Sequence, residues 1–266
     1  MKKRTHLKDS LLKRELTIGS WITLAHPSIA EIMAKAGFDW LVVDMEHSAI
    51  ELGQAQNLIQ VIELAGCVPL VRVGENDPNL IKRVMDAGAH GVIVPMVNTE
   101  EDAVRAVKAV KYPPVGTRGV GLARAQGYGM DFEGYKGWVN EKSIVIVQIE
   151  HIDAVKNLEK ILTVKGVDGF IIGPYDLSGS VGKPGEFDDP EVKKALERVT
   201  EVSRKLKALS GFHVVPPDPG QVKEKIDEGY SFIAYSLDTL FMADHIHSDM
   251  KAIRSGEKMP AMVRRT

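Results

Sequence analysis

The chain has 266 residues, of which 44% are hydrophobic and 26% are charged, a composition typical of a globular protein with a large core. Its formal net charge of -2 provides no basic field for a nucleic acid or an anionic membrane, so neither is expected as a partner. No apolar run reaches the length of a membrane span, and the basic start lacks the apolar stretch of a secretory signal. A cytoplasmic location is therefore expected.

Short apolar segments alternate along the chain with amphipathic segments whose apolar residues recur every three or four positions. The apolar segments predict eight strands, at 18–24, 40–44, 68–73, 91–95, 144–150, 169–173, 211–215 and 231–235. Helices are predicted between most of them, and such alternation favours parallel strands joined by right-handed crossovers. Eight units in about 250 residues fit an α/β fold of the (β/α)8 TIM-barrel type, with a doubly wound open sheet as the alternative. Because no linker divides the chain, residues 1–266 are expected to form a single domain.

Some parts of the chain lie outside this alternation. Residues 1–15 are expected to form an N-terminal helix or extension, residues 238–254 a final helix, and residues 255–266 a loose tail. Residues 112–141 are rich in glycine and aromatic residues, and an interval of this length is usually functional or covers a site. Since this interval follows the fourth strand, it is expected to rise from the rim where the strands end.

Several predicted strands end in residues that can do chemistry. These residues are Asp44, Glu46, His47, Arg72, Gln148, Glu150 and Asp176. Ligand sites in α/β barrels and doubly wound sheets lie at the carboxyl ends of the parallel strands, so these side chains are expected to gather around one site. This pattern favours an enzyme.

Two of these residues, Glu150 and Asp176, are acids from successive strand ends. Together with water and backbone carbonyls they suit a hard divalent cation such as Mg²⁺ or Mn²⁺. A tetrahedral zinc site is not expected, because the chain has no CxxC or HExxH pattern. The alternative is that each acid pairs with a surface lysine or caps a helix.

The end of the second predicted strand and the third strand supply the remaining chemical groups. His47 is the candidate general base, because imidazole titrates near neutral pH, and Asp44 is expected to hold its tautomer. The alternative is a hydrogen-bonded histidine without a chemical role, and Glu46 is expected to face solvent. Arg72 cannot stay unpaired within an apolar strand. It binds either an anionic ligand or the carboxylate of Asp44 or Glu46, and the two alternatives are compatible.

The chain resembles the HpcH/HpaI aldolase family of metal-dependent class II pyruvate aldolases. The resemblance rests on six segments that occur in the expected order: VVDMEH, PLVRV, DAGAHGVIVPMV, KYPPVGTRGVGLARAQGYG, QIE and GPYDLSGSVG. It extends from about Gly19 to about Asp238. The resemblance implies a (β/α)8 barrel that assembles as a homo-oligomer, a hexamer or a trimer, with helices exchanged between neighbours.

The resemblance also implies roles for individual residues. Glu150 and Asp176 match the ligands of the metal cofactor, which is Mg²⁺, Mn²⁺ or Co²⁺. His47 matches the acid–base histidine with Asp44 as its partner, and Arg72 matches the arginine beside the oxygens of bound pyruvate. The positions that match substrate contacts are Trp21, Gln148, Gly173, Pro174, Ser178 and Val214, with His213 where the aldehyde pocket varies. A segment with Ala123 and Arg124 matches one that reaches an adjoining subunit.

The implied activity is the cleavage or formation of 4-hydroxy-2-oxo acids, with pyruvate and an aldehyde as the partners of the reaction. A divalent metal ion stabilises the pyruvate enolate in such enzymes. A Schiff-base mechanism is disfavoured, because no lysine lies at a strand end beside these groups. Two other functions stay open. One is oxaloacetate decarboxylation or another enolate condensation of the citrate-lyase-like group. The other is a ligand sensor, which the presence of every metal, arginine and histidine position disfavours.

Overall fold

In a computed structural model, which describes residues 7–255, eight parallel strands close into a barrel in their order along the chain. The strands are β1 Thr17–Ile22, β2 Trp40–Asp44, β3 Val68–Arg72, β4 Gly91–Val94, β5 Ile144–Ile149, β6 Gly169–Ile172, β7 Ser210–Val214 and β8 Phe232–Leu237. The predicted (β/α)8 barrel is confirmed, and each predicted strand agrees with an observed one to within two residues at either end. These runs are nearly continuously apolar because both of their faces are buried.

Helices surround the barrel. They are α1 Leu7–Lys13, α2 Pro27–Lys35, α3 Leu52–Leu64, α4 Pro78–Asp86, α5 Glu100–Val110, α6 Phe132–Lys142, α7 Ile152–Thr163, α8 Pro174–Ser180, α9 Pro190–Leu206, α10 Pro219–Asp227 and α11 Asp238–Ser255. Their starts follow local chemistry: Asp77 accepts a hydrogen bond from the Leu80 N–H before α4, and Thr99 accepts one from the Asp102 N–H before α5.

The amino end of the barrel is filled by large aromatic side chains. Trp40 is fully buried and stacks on Phe232, with ring centroids 4.1 Å apart. The Trp40 ring occupies the space beside Gly19, where an added Cβ would come within 2.1 Å of the indole. Leu7 and Leu11 of α1 pack into the same cluster, and Lys8 pairs with Asp168 beside them. The barrel interior is therefore closed at this end, which leaves the carboxyl ends of the strands for a cavity.

The interval 112–141 differs from expectation in two ways. Its second part forms α6, a helix that the glycines within it obscured, and a short 3-10 turn precedes it at Arg124–Gln126. Its first part is anchored away from the carboxyl rim, because Arg118 pairs with Asp86 and Arg124 with Glu63. Both acids lie near the ends of helices that lead into strands, at the amino end of the barrel. The prediction that this interval rises from the rim where the strands end is wrong, since α5 first returns the chain to the opposite end of the barrel.

The terminal elements agree with the sequence where the structure describes them. Helix α1 lies within the predicted N-terminal extension, and α11 matches the predicted final helix. The predicted loose tail lies, apart from Ser255, outside the described residues. Between residues 7 and 255, every helix is too short or too polar to cross a bilayer.

Candidate active site

A cavity of about 330 Å³ opens where the strands end. Its wall comes from every strand except β4, namely β1, β2, β3, β5, β6, β7 and β8, and from segments that follow some of them. Most residues predicted from the sequence lie in this wall, namely Trp21, Asp44, His47, Arg72, Gln148, Gly173, Pro174 and Asp176. The structure thus brings together side chains that are as far as 155 positions apart in the chain, from Trp21 to Asp176.

Arg72 and Asp44 form the central ion pair of the cavity. They are the last residues of β3 and β2 and lie opposite each other in the strand register. Arg72 donates from Nε to Asp44 Oδ1 at 2.9 Å and from Nη2 to Oδ2 at 2.7 Å. Burial alone would raise the pKa of Asp44, but the hydrogen bonds and charge of Arg72 hold it below its usual value. Asp44 is therefore ionised, and it fixes the plane of the guanidinium.

Glu46 also binds this arginine, contrary to the expectation that it faces solvent. Its Oε2 lies 3.2 Å from Arg72 Nη1, and its side chain is only 15% exposed. Burial raises the pKa of Glu46 to about 7; the charge of Arg72 opposes this rise, and Glu150, Asp44 and Asp176 add to it. The sequence carried no signal for this inward position, because the alternation of faces ends with β2 and the chain turns directly afterwards.

His47 lies at the mouth of the cavity, with 62% of its side chain exposed. Its Nε2 is 3.8 Å from Glu46 Oε2. The Asp44 carboxylate instead accepts hydrogen bonds from the backbone N–H groups of Glu46 and His47, at 3.0 and 3.3 Å. Asp44 therefore does not contact the imidazole as predicted; its hydrogen bonds to the backbone hold the turn that carries His47. Among the described residues, Glu46 is the carboxylate nearest the imidazole ring.

Asp176 lines the cavity, whereas Glu150 is not part of the wall and lies against two of its residues, Gln148 and Gly173. Glu150 is 3% exposed, and its Oε1 accepts a hydrogen bond from the Met96 N–H at 2.6 Å while Gln148 Nε2 donates to its Oε2. Asp176 is exposed in the first turn of α8. Burial raises the pKa of Glu150, the two hydrogen bonds lower it, and the charge of Asp176 raises it further. The negative charges of these two carboxylates therefore repel each other unless a cation lies between them.

The two acids fit a hard divalent cation. Each oxygen of the Glu150 carboxylate accepts one hydrogen bond and keeps a second lone pair. Gly173 leaves room beside this group, since a Cβ there would lie 3.0 Å from Glu150 Oε2. Across residues 7–255, no three histidine, cysteine or acidic side chains are placed to hold a metal. The remaining positions of an ion would fall to water or substrate oxygens, which suits Mg²⁺ or Mn²⁺ better than zinc.

Ser178 does not lie in the cavity wall. It lies on the buried side of α8, where its hydroxyl donates to the Tyr175 carbonyl at 2.7 Å and accepts from the Gly185 N–H at 2.9 Å. Both hydrogen-bonding functions of this hydroxyl are thus used within one loop. Ser178 supports the segment that presents Asp176 rather than contacting a ligand.

Val214 also points away from the cavity. It packs outside the barrel against Val222 and Ile233, while its neighbour His213 lines the cavity. Successive residues of a strand face opposite sides, so only one of the two can reach the interior. The sequence around β7, GFHVV, does not alternate clearly, and its inward face could not be assigned from pattern alone.

A closed barrel whose carboxyl-end cavity combines two acids, a buried arginine and a histidine has the organisation of a (β/α)8 enzyme. The family model for HpcH/HpaI aldolase/citrate lyase matches residues 17–244. The chain belongs to this family, and it is a carbon–carbon lyase of the aldolase type.

Individual relatives agree with this assignment. The 2-keto-3-deoxy-L-rhamnonate aldolase of Escherichia coli strain K12 is 37% identical over 255 residues, which cover 95% of this chain and 94% of that protein. Among solved structures, an HpcH/HpaI aldolase/citrate lyase family protein from Burkholderia cenocepacia J2315 has a TM-score of 0.88 and 32% identity. That match covers 94% of this chain and 100% of the other. An HpcH/HpaI aldolase from Desulfitobacterium hafniense DCB-2 has a TM-score of 0.85 and 30% identity, covering 96% and 98% of the two chains.

The position of Glu46 predicts a pH dependence of stability in the metal-free protein. Its pKa rises from the usual 4.5 to about 7 on folding, so the folded state holds a proton that the unfolded state releases over this interval. The contribution of Glu46 to the free energy of unfolding should therefore fall as pH rises from 4.5 to 7 and then level off.

Urea titrations at a series of pH values in EDTA measure this effect. The wild type should lose stability over the interval relative to Glu46→Gln, which cannot ionise there. Glu133→Gln serves as the control, because that acid is exposed on α6 and its substitution should leave the wild-type pH profile unchanged. Parallel profiles for wild type and Glu46→Gln would contradict the expectation.

Proposed function

We propose that the protein is a divalent-metal-dependent aldolase that cleaves or forms 4-hydroxy-2-oxo acids, with pyruvate and an aldehyde as the other reactants. The observation that carries this proposal is the convergence of Arg72, His47 and Asp176 on one cavity, with the shielded Glu150 in contact with Gln148 and Gly173 of the same wall. A 2-oxo acid presents two oxygens to a cation and a negative charge to a guanidinium, which matches this set. The name of the Escherichia coli relative, a 2-keto-3-deoxy-L-rhamnonate aldolase, supports a 2-oxo acid as substrate.

His47 is the proposed acid–base group. In the cleavage direction its imidazole takes the proton of the C4 hydroxyl, and the C3–C4 bond breaks as the aldehyde carbonyl forms. The electrons of that bond move to the 2-oxo group, which leaves the enolate of pyruvate, and this enolate then takes a proton at C3. The ring is exposed at the mouth of the cavity and next to Glu46, so it can exchange its proton with solvent between turnovers.

Arg72 is the proposed electrostatic partner of the enolate. Asp44 fixes its guanidinium through two nitrogens, Glu46 Oε2 lies 3.2 Å from the third, and the ring of Trp21 lies 4.3 Å from its Cζ. A charge held in this way needs no reorganisation when negative charge develops on the substrate. Glu150 and Asp176 would hold the metal ion, which supplies a Lewis acid for the 2-oxo acid. Gln148 orients Glu150, and Gly173 and Pro174 form the turn beside it.

Metal removal tests the proposal directly. Dialysis against EDTA should abolish pyruvate release from a panel of 4-hydroxy-2-oxo acids, and Mg²⁺, Mn²⁺ or Co²⁺ should restore it. Glu150→Gln and Asp176→Asn should raise the metal concentration needed for half-maximal rate by a factor on the order of 10 to 100. Asp153→Asn is the matched control, because this acid is exposed on α7 and paired with Lys156. Full turnover after thorough metal removal would refute the metal-dependent mechanism.

Substitution of Arg72 tests its proposed contribution to rate. Arg72→Ala should lower kcat/KM by roughly 10²–10³, the value of a single fixed donor at a developing oxyanion. Arg105→Ala, which removes an exposed arginine paired with Asp102, should leave kcat/KM unchanged. Melting temperatures measured in parallel separate loss of catalysis from loss of fold. A near-wild-type rate for a folded Arg72→Ala variant would remove Arg72 from the mechanism.

Product analysis distinguishes the other two functions. An oxaloacetate decarboxylase releases pyruvate and carbon dioxide from oxaloacetate but no aldehyde from 4-hydroxy-2-oxo acids. A ligand sensor binds magnesium and pyruvate in isothermal titration without turnover of any tested acid.

The cytoplasmic location stays a prediction.

We also propose that the protein assembles as a homo-oligomer, a hexamer or a trimer, through α11. This helix carries a stripe of exposed apolar side chains, Met242, Ile246, Met250 and Ile253. Their spacing of three to four residues places them on one side of the helix. A contiguous apolar surface of this kind is typical of a face covered by another chain, and a second copy of the barrel is the occupant that the family resemblance supplies.

Light scattering coupled to size-exclusion chromatography checks this assembly. The wild type should elute as a species several times heavier than one chain, and Ile246→Glu should shift it to smaller species because a charge would be buried in the interface. His247→Glu, at the neighbouring exposed position, tests whether added charge alone causes dissociation. A wild-type monomer at working concentration would contradict the proposal.

A further inference from the structure

Two aromatic side chains in the active-site wall each carry a shielded nitrogen without a hydrogen-bond partner. The two unpaired atoms are Nε1 of Trp21 and Nε2 of His213. Both residues line the cavity, and their ring centroids are 5.3 Å apart. A buried polar atom left unpaired costs free energy, so such atoms usually mark a place where water or a ligand completes the structure.

The hydrogen-bonding character of the two nitrogens differs. Burial and the charge of Arg72 lower the pKa of His213 to about 4, against an opposing hydrogen bond with the backbone of Ser236. The ring is therefore neutral near pH 7. Since Nε2 has no partner, the nitrogen that donates to Ser236 is Nδ1, and Nε2 carries the lone pair. The indole of Trp21 offers only a donor.

One donor and one acceptor on neighbouring rings, whose centroids are 5.3 Å apart, match a hydroxyl group. A hydroxyl accepts from the indole N–H and donates to the imidazole lone pair in the same pose. A carboxylate oxygen has no proton for His213 Nε2, and a methyl group satisfies neither nitrogen. Within the described wall, Arg72 is the only lysine or arginine, and Asp44 and Glu46 already bind it. A second carboxylate on the substrate therefore finds no free lysine or arginine in this described wall.

We propose that Trp21 and His213 form a subsite for a substrate hydroxyl, so that the preferred substrate carries a hydroxyl group besides the one at C4. This inference rests on the proposed aldolase function and names the substrate class. Because Trp21 also lies against Arg72, the subsite adjoins the guanidinium assigned to the 2-oxo acid. The additional hydroxyl belongs either to the aldehyde half or to C3 of the 2-oxo acid half, and the two sources are separable.

Matched substrate pairs test the subsite with the metal-loaded wild-type protein. Glycolaldehyde and acetaldehyde, each with pyruvate, differ by one hydroxyl on the aldehyde half. The same comparison for the oxo acid half uses 3-hydroxypyruvate and pyruvate, each with acetaldehyde. Product formation measured by proton NMR gives the ratio of kcat/KM for each pair, and a ratio of at least about tenfold in favour of the hydroxylated compound is expected in one of them.

Comparing the kcat/KM ratio of a variant with that of the wild type cancels the intrinsic difference in reactivity between the two substrates of a pair. His213→Leu keeps the side-chain volume but loses the acceptor, and it should lower the ratio about tenfold relative to wild type. His213→Gln keeps an oxygen acceptor and should retain most of the ratio. Trp21→Phe removes the donor and tests the subsite independently if His213→Leu fails to fold.

A spectroscopic measurement complements the kinetics. The chain has three tryptophans, and the indole N–H signal of Trp21 is assigned by its loss in Trp21→Phe. This signal should shift on saturation with the hydroxylated member of the preferred pair and move little with the other member.

The outcomes are distinguishable. A hydroxyl preference that His213→Leu erases supports the subsite and identifies which half of the substrate fills it. Turnover of both members of each pair with equal ratios in wild type and His213→Leu overturns the subsite, leaves the aldolase function intact, and assigns the two nitrogens to ordered water. Absence of turnover with every pair and every metal overturns the aldolase function and the subsite together.

Discussion

The active site depends on one constraint, the need to place a guanidinium inside a barrel of apolar strands. Arg72 ends β3 with Asp44 beside it in register on β2, and the pair satisfies two of its nitrogens. Glu46 binds the third, and the indole of Trp21 covers one face. A buried charge without such partners would be too costly to retain. The residues that make Arg72 tolerable also fix its orientation, so the stability of the site and its preorganisation have the same source.

The charge balance of the cavity follows from this arrangement. Asp44, Glu46, Glu150 and Asp176 influence one another, and Arg72 is the main positive group among them. Asp44 keeps its charge because it takes the best hydrogen bonds from Arg72, whereas the pKa of Glu46 rises to about 7. A bound cation would relieve this excess of negative charge, which is the physical reason that the donor set fits a metal ion.

Sequence reasoning placed the strands well because a buried parallel strand is an apolar run with few alternatives. It also singled out Arg72, Glu150 and Asp176 as candidate site residues, because a charge at the end of such a run is unusual. It failed where periodicity is weak. The glycines of α6 concealed a helix, and the turn after β2 concealed the inward side of Glu46. In β7 no residue is exposed and the sequence does not alternate clearly, so Val214 was assigned to a cavity that His213 lines.

The packing of Gly19 against Trp40 limits how this barrel can diverge. Trp40 also stacks on Phe232, so residues of three adjacent strands, β8, β1 and β2, share one volume. A larger residue at position 19 requires a smaller ring at position 40, which in turn leaves a void beside Phe232. These positions can therefore change only in concert, and libraries that aim to reshape the barrel interior need to randomise all three together.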